Sequence, residues 1–251
     1  MRFLCFSGAF INAETFQVQM APICKELQSL CSVSFFFLHG TIPCTPPPGF
    51  EDYFGPGPHY RFIKSENTQK IDALELVRDF PEGRNAEDAI RELIRNGSVD
   101  VQSSIRAALK AVYEVIEEEG PFDGVIAYSE GSIVAGSLIL DEAVRFEREG
   151  RKPQIKMAIF FGGWPPISAE TETGQAVLMD ESDLFIDIPT CHVVGSKDPF
   201  LLGSMALFNV CNGDLAEMFD HGKGHMLPRD QETIAELGVV IQKMIEKCSL
   251  S

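Results

Sequence analysis

The chain of 251 residues is 45% hydrophobic and 23% charged, which is ordinary for a globular protein and within the size of one α/β domain spanning residues 1–251. Its formal net charge of −16 excludes the clustered Lys and Arg that phosphate contacts require, so neither nucleic acid nor an anionic membrane is expected as a partner. The seven cysteines are odd in number, scattered and without a C-x-x-C pair, which points away from disulfides and zinc and toward reduced thiols in a cytoplasmic protein.

The first ten residues, MRFLCFSGAF, hold one Arg and an apolar run of strand length, with no cleavage signature and no window near the roughly 20 apolar residues of a membrane span. They predict a strand over 2–7, closed by Gly8. Apolar residues three and four apart then predict a helix from about residue 14 to 30, capped by Asn12, and a second strand follows at 31–39. Residues 43–60, PCTPPPGFEDYFGPGPHY, break the rhythm: prolines and glycines argue against a continuous helix or ladder, while Phe50, Tyr53, Phe54 and Tyr60 need burial. An ordered loop with aromatic anchors is expected, followed by a short helix at 84–96 that forms part of a small lid-like insertion.

Helices are further predicted at 98–119, 132–149 and 229–247, and strands at 124–128, 155–161, 190–195 and 214–219. The strand runs are mostly continuous rather than alternating, as in a sheet covered on both faces. Strand and helix in alternation predict a doubly wound, mostly parallel α/β sheet with helices on both faces.

Ala127-Tyr128-Ser129-Glu130-Gly131 differs from the G-x-S-x-G elbow only in its first residue, and it lies between a predicted strand and a helix rich in small residues. Such a corner either uses Ser129 as a helix N-cap or holds its hydroxyl out as a nucleophile. A nucleophilic serine needs a base and an orienting acid. His225, in HGKGHMLP between the last strand and the last helix, is the candidate base, with His221 as its nearest rival. Asp198, in GSKDPF just past a strand end, is the candidate acid, although Asp-Pro also favours a plain turn. The order Ser129, Asp198, His225 is that expected of an α/β-hydrolase triad. The N–H groups of Ala9 and Glu130 are the candidate oxyanion hole, with Phe10 as the alternate donor.

These segments resemble a family, the fungal serine hydrolases of the FSH type, a branch of the α/β-hydrolases that includes polyketide-releasing thioesterases. The resemblance rests on FLCFSGAFINAETF, FFFLHGTIPCTPPPGF, FGPGPHYRF, FDGVIAYSEGS, PTCHVVGSKDPF and GKGHMLP, and covers nearly the whole chain. It implies the same roles for Ser129, Asp198 and His225. The chain departs from the family pattern at Ser7, where His is usual, and at Ala127, where Gly is usual.

The resemblance also implies a cofactor-free, metal-free hydrolysis of an acyl thioester or ester, with release of a polyketide acyl chain from its carrier protein as the expected task. A general short-chain carboxylesterase is the alternative, and a non-catalytic acyl-binding protein a second. Phe10, Phe54, Trp164, Phe200 and Met226, around the loops at the strand ends, are the candidates for an apolar acyl pocket.

Overall fold

In the computed structural model the residues described are 1–46, 48, 54, 55, 57–64, 85–88, 91, 101–167 and 184–249. Six strands form one sheet: β1 (Arg2–Phe6), β2 (Ser34–Leu38), β5 (Gly124–Tyr128), β6 (Met157–Phe161), β7 (Thr190–Val194) and β8 (Ala216–Asp220). Their order is β2-β1-β5-β6-β7-β8, and every pairing is parallel. All six carboxyl ends therefore lie on one edge, where loops from open α/β sheets build their sites.

Period-two alternation divides the strand residues between two cores. Leu4, Phe6, Val125, Ala127, Ala158 and Phe160 face one, together with α2 (Val101–Glu119), α3 (Glu130–Glu149) and α4 (Leu201–Asn209). Phe3, Cys5, Ile126, Tyr128, Ile159 and Phe161 face the other, with α1 (Ala13–Leu30) and α5 (Gln231–Ser249). Both faces lose water, so the central strands read as unbroken apolar runs. Phe16, Met20 and Leu27 of α1 are completely buried, each contributing about 1.5–3 kcal/mol by removal from water.

Strand β8 is an edge, and its residues are only partly covered. It begins at 216 rather than 214, β6 begins at 157 rather than 155, and β2 occupies only the middle of the run at 31–39. In each case the end left unpaired carries a polar residue, Asp214, Lys156 or Ser32, rather than a continuing apolar run. Helix α3 starts at Glu130, directly after the serine. The expected start of α2 at residue 98 lies outside the described residues.

The segment at 43–60 differs from expectation. Its ends pair in an antiparallel two-stranded ladder, β3 (Ile42–Cys44) with β4 (His59–Arg61). Pro43 stands opposite Tyr60, whose carbonyl accepts instead from the N–H of Phe10 at 2.9 Å. A proline is tolerated there because that pair does not need its missing donor. Tyr60 stacks near His39 with centroids 4.2 Å apart, and Phe54 packs 5.1 Å from Phe10. Phe50 and Tyr53 lie outside the described residues. Of the helix expected at 84–96, residues 86–88 are helical, Ala86 is buried in the core of α2 and α3, and most of the rest is outside the described residues.

Asn12 caps α1, its Oδ1 accepting from the N–H of Thr15 at 2.8 Å, while its Nδ2 donates to the Pro58 carbonyl at 2.9 Å. One residue thus starts the helix and ties the β3–β4 hairpin to the loop after β1. No helix among the described residues is long and apolar enough to cross a membrane.

Candidate active site

Ser129 sits between β5 and α3 at φ 52° and ψ −120°, a backbone state that side chains with a Cβ rarely adopt. It stands at the N-cap position yet makes no side-chain capping bond. The capping use of this serine is thereby set aside. Gly131 makes the corner possible, since a Cβ there would lie 2.8 Å from the carbonyl oxygen of Phe6. The N–H of Ser129 donates to Phe161 at 3.0 Å, and Ser132 Oγ donates to the Ser129 carbonyl at 2.6 Å, so the turn is held from both sides.

The Ser129 hydroxyl meets Nε2 of His225 at 2.9 Å, and Nδ1 of His225 meets Oδ2 of Asp198 at 2.7 Å. A carboxylate only accepts, so Nδ1 carries the proton and Nε2 accepts from the serine. Asp198 is buried, and its second oxygen accepts the N–H of Phe200 at 2.7 Å. Both carboxylate oxygens are occupied, which fixes the plane that orients the imidazole. Gly195 brings the loops of Asp198 and His225 together, because a Cβ would collide with the Lys223 carbonyl. Gly162, at φ 50°, lies under the pair: a Cβ there would fall 2.8 Å from Cε1 of His225.

His221 does not share this arrangement. It is buried, its Nδ1 has no hydrogen-bond partner among the described residues, and burial lowers its pKa.

The candidate oxyanion donors belong to the loop after β1 and to the first residue of α3. Among the described residues the N–H groups of Ala9 and Glu130 have no backbone acceptor outside regular structure, whereas that of Phe10 is committed to Tyr60. Phe10 is therefore excluded as the alternate donor. Ser7 is fully buried and donates its hydroxyl to the Ile11 carbonyl at 3.0 Å, which holds this loop from inside.

The candidate pocket residues form two groups. Phe200 meets His225 edge-on at 5.1 Å and Trp164 at 5.6 Å, while Phe10 and Phe54 pair with each other. Met226 is 40% exposed beside His225. Sequence reasoning missed Tyr128, Gly162, Ser132 and Arg61. Only the Gly162-Gly163 pair directly after a strand carried a visible signal.

All seven thiols are pushed above their ordinary pKa, mainly by burial, with Cys24, Cys191 and Cys211 at about 12 and Cys44 at about 11. None is an activated thiolate. Among the described residues no group of three or more His, Cys, Asp or Glu could hold a metal ion.

The chain is 25% identical over 252 residues to "Esterase FPY3" of Fusarium mangiferae, covering 98% of each. It is 26% identical over 254 residues to "Thioesterase FSL2" of Gibberella zeae, covering 93% of this chain and 89% of the relative. Among solved structures, Zea mays acyl-protein thioesterase 2 superposes with a TM-score of 0.53 at 14% identity, covering 97% of this chain and 93% of that one. That likeness identifies the fold as the α/β-hydrolase fold. The model of the family described as "Serine hydrolase (FSH1)" matches residues 1–237, and to that family of serine hydrolases the chain belongs.

Proposed function

We propose that Ser129 attacks the acyl carbon of a thioester or ester, that His225 takes the serine proton and returns it to the leaving group, and that Asp198 orients and stabilises the imidazolium. The observation that carries this is the unbroken hydrogen-bond chain from Ser129 through His225 to Asp198. The N–H groups of Ala9 and Glu130 receive the oxyanion of the tetrahedral intermediate, and Trp164, Phe200, Phe10, Phe54 and Met226 line the acyl pocket. Collapse leaves an acyl-Ser129 ester, which water then attacks with His225 again as base.

The substrate we favour is a polyketide acyl chain held as a thioester on a carrier protein, in fungal secondary metabolism. The relative named a thioesterase and the fungal source of both relatives support it. Seven cysteines held as thiols rather than disulfides support a cytoplasmic setting.

Intact-mass analysis tests the whole reading. A fluorophosphonate should add one mass to the wild type and none to Ser129→Ala, and acyl-loaded carrier protein should acylate the wild type faster than simple acetyl esters do. Labelling that survives Ser129→Ala would move the nucleophile elsewhere. A preference for acetyl esters would leave a short-chain carboxylesterase.

A further inference from the structure

Glu130, the residue after the serine, turns its carboxylate away from the candidate site and is 94% buried in solvent terms, with 6% exposure. Its Oε2 accepts from Nε of Arg61 at 2.9 Å and from Nη2 at 2.6 Å, and its Oε1 accepts the N–H of Phe62 at 2.7 Å. The Arg61 guanidinium also lies over the ring of Phe10, 5.1 Å from the centroid. Phe10 has φ 64°, a costly state for an aromatic residue, which persists only where surroundings overdetermine it. Here its N–H donates to Tyr60 and its carbonyl accepts from Nδ1–H of His59, both at 2.9 Å. Strand β4 thus grips both the loop after β1 and the first residue of α3. His59 and Tyr60 hold Phe10, and Arg61 holds both Phe10 and Glu130. Gly40 permits this approach, since a Cβ there would overlap the backbone of Arg61.

That loop and that helix start carry the proposed oxyanion donors, Ala9 just before Phe10 and Glu130 itself. We infer that Arg61 is a positioning residue, and that its clamp on Glu130 and contact with Phe10 set the separation of those two N–H groups. This inference rests on the proposed acyl-transfer reading. Only a fixed pair of donors stabilises an oxyanion, and a displacement on the order of 1 Å can cost a hundredfold in rate.

The pair of variants Arg61→Met and Arg61→Met/Glu130→Leu separates positioning from stability. The first leaves a buried carboxylate without its cation and should lower the melting temperature; the second removes both charges and should recover much of it. With p-nitrophenyl butyrate, both should lose about 10- to 100-fold in kcat, less than the roughly 10²- to 10³-fold cost of removing an oxyanion donor outright, with KM changed less than about twofold. Affinity for phenylboronic acid, whose serine adduct places an anionic oxygen in the hole, should fall by the same factor as kcat/KM. A double variant with wild-type kcat and boronate affinity would overturn the inference, as would a loss confined to KM. Ser129→Ala, measured in parallel, keeps the two readings apart: if it is inactive while the double variant is fully active, only the positioning role fails; if it stays active, the nucleophile assignment fails first.

Discussion

The ring of Tyr128 lies along the imidazole of His225, centroids 5.3 Å apart with planes at 25°, and its hydroxyl donates to the His225 carbonyl at 3.1 Å. Tyr128 immediately precedes Ser129, so the residue that ends β5 braces the ring facing the serine. Phe200 closes the other side edge-on. In Tyr128→Phe the ring contact stays and one hydrogen bond goes, a loss of about 0.5–1.5 kcal/mol in stability. The expected outcome is a melting temperature lower by a few degrees and kcat reduced less than about tenfold. A larger kcat loss at unchanged stability would mean that the hydroxyl, not the ring, orients the base.

Gly162 offers a sharper probe. Its φ of 50° disfavours a side chain, and the added methyl of Gly162→Ala would lie 2.8 Å from Cε1 and 2.9 Å from Nδ1 of His225. The imidazole must move away from Asp198, Ser129 or both. Ester turnover and the rate of fluorophosphonate labelling should both fall about a hundredfold, the scale of a 1 Å misplacement. Circular dichroism should still report a folded protein. Wild-type labelling in a folded Gly162→Ala sample would show that the ring has room the structure does not suggest.

The sequence carried the fold because a parallel sheet covered on both faces writes itself as unbroken apolar runs: GVIAY and MAIFF are buried at every position. Ser129, Asp198 and His225, which the structure brings into hydrogen-bond contact, were legible as candidates because each follows a strand in a loop with its own turn chemistry. The sequence did not carry the clamp between Arg61 and Glu130. These residues are 69 positions apart, and Arg61 ends a three-residue strand too short to show a period. Tertiary pairing alone makes β3 and β4. The exclusion of Phe10 as a donor was equally hidden, since it depends on where the Tyr60 carbonyl points.

His192, inside β7, makes an acid-stability prediction. It is 1% exposed between Phe160 and Phe208, with Nε2 against the Thr190 hydroxyl at 3.0 Å, and burial lowers its pKa to about 3. In the unfolded chain the value returns to about 6.5. Between those two pH values the unfolded state binds a proton that the folded state refuses, so stability falls as pH drops, by up to about 1.4 kcal/mol per unit. Above about 6.5 the group has no effect, and below about 3 the penalty is complete. His192→Leu should therefore show a flatter melting temperature from about pH 6.5 to 4.5 than the wild type. Parallel curves would mean that this histidine is protonated in the folded protein.

Substrate choice tests the apolar residues at the sheet edge. Trp164 and Phe200 pack against each other, and Phe200 against His225, so an acyl chain leaving Ser129 on that side meets aromatic surface at once. Gly203 allows this packing, because a Cβ there would press on the Trp164 indole at 3.2 Å. Each methylene buried there should contribute about 0.8 kcal/mol, close to fourfold in kcat/KM, until the pocket is full. From acetyl to decanoyl esters the constant should climb and then level off. Trp164→Ala should flatten that climb while leaving the acetyl ester nearly unchanged, because the short chain does not reach the indole. A carrier-bound thioester should exceed the same acyl group on a small thiol, since contacts remote from the reacting carbon then contribute to transition-state binding. If chain length has no effect in the wild type and the carrier adds nothing, the pocket lies elsewhere and release of a long acyl chain is not the reaction.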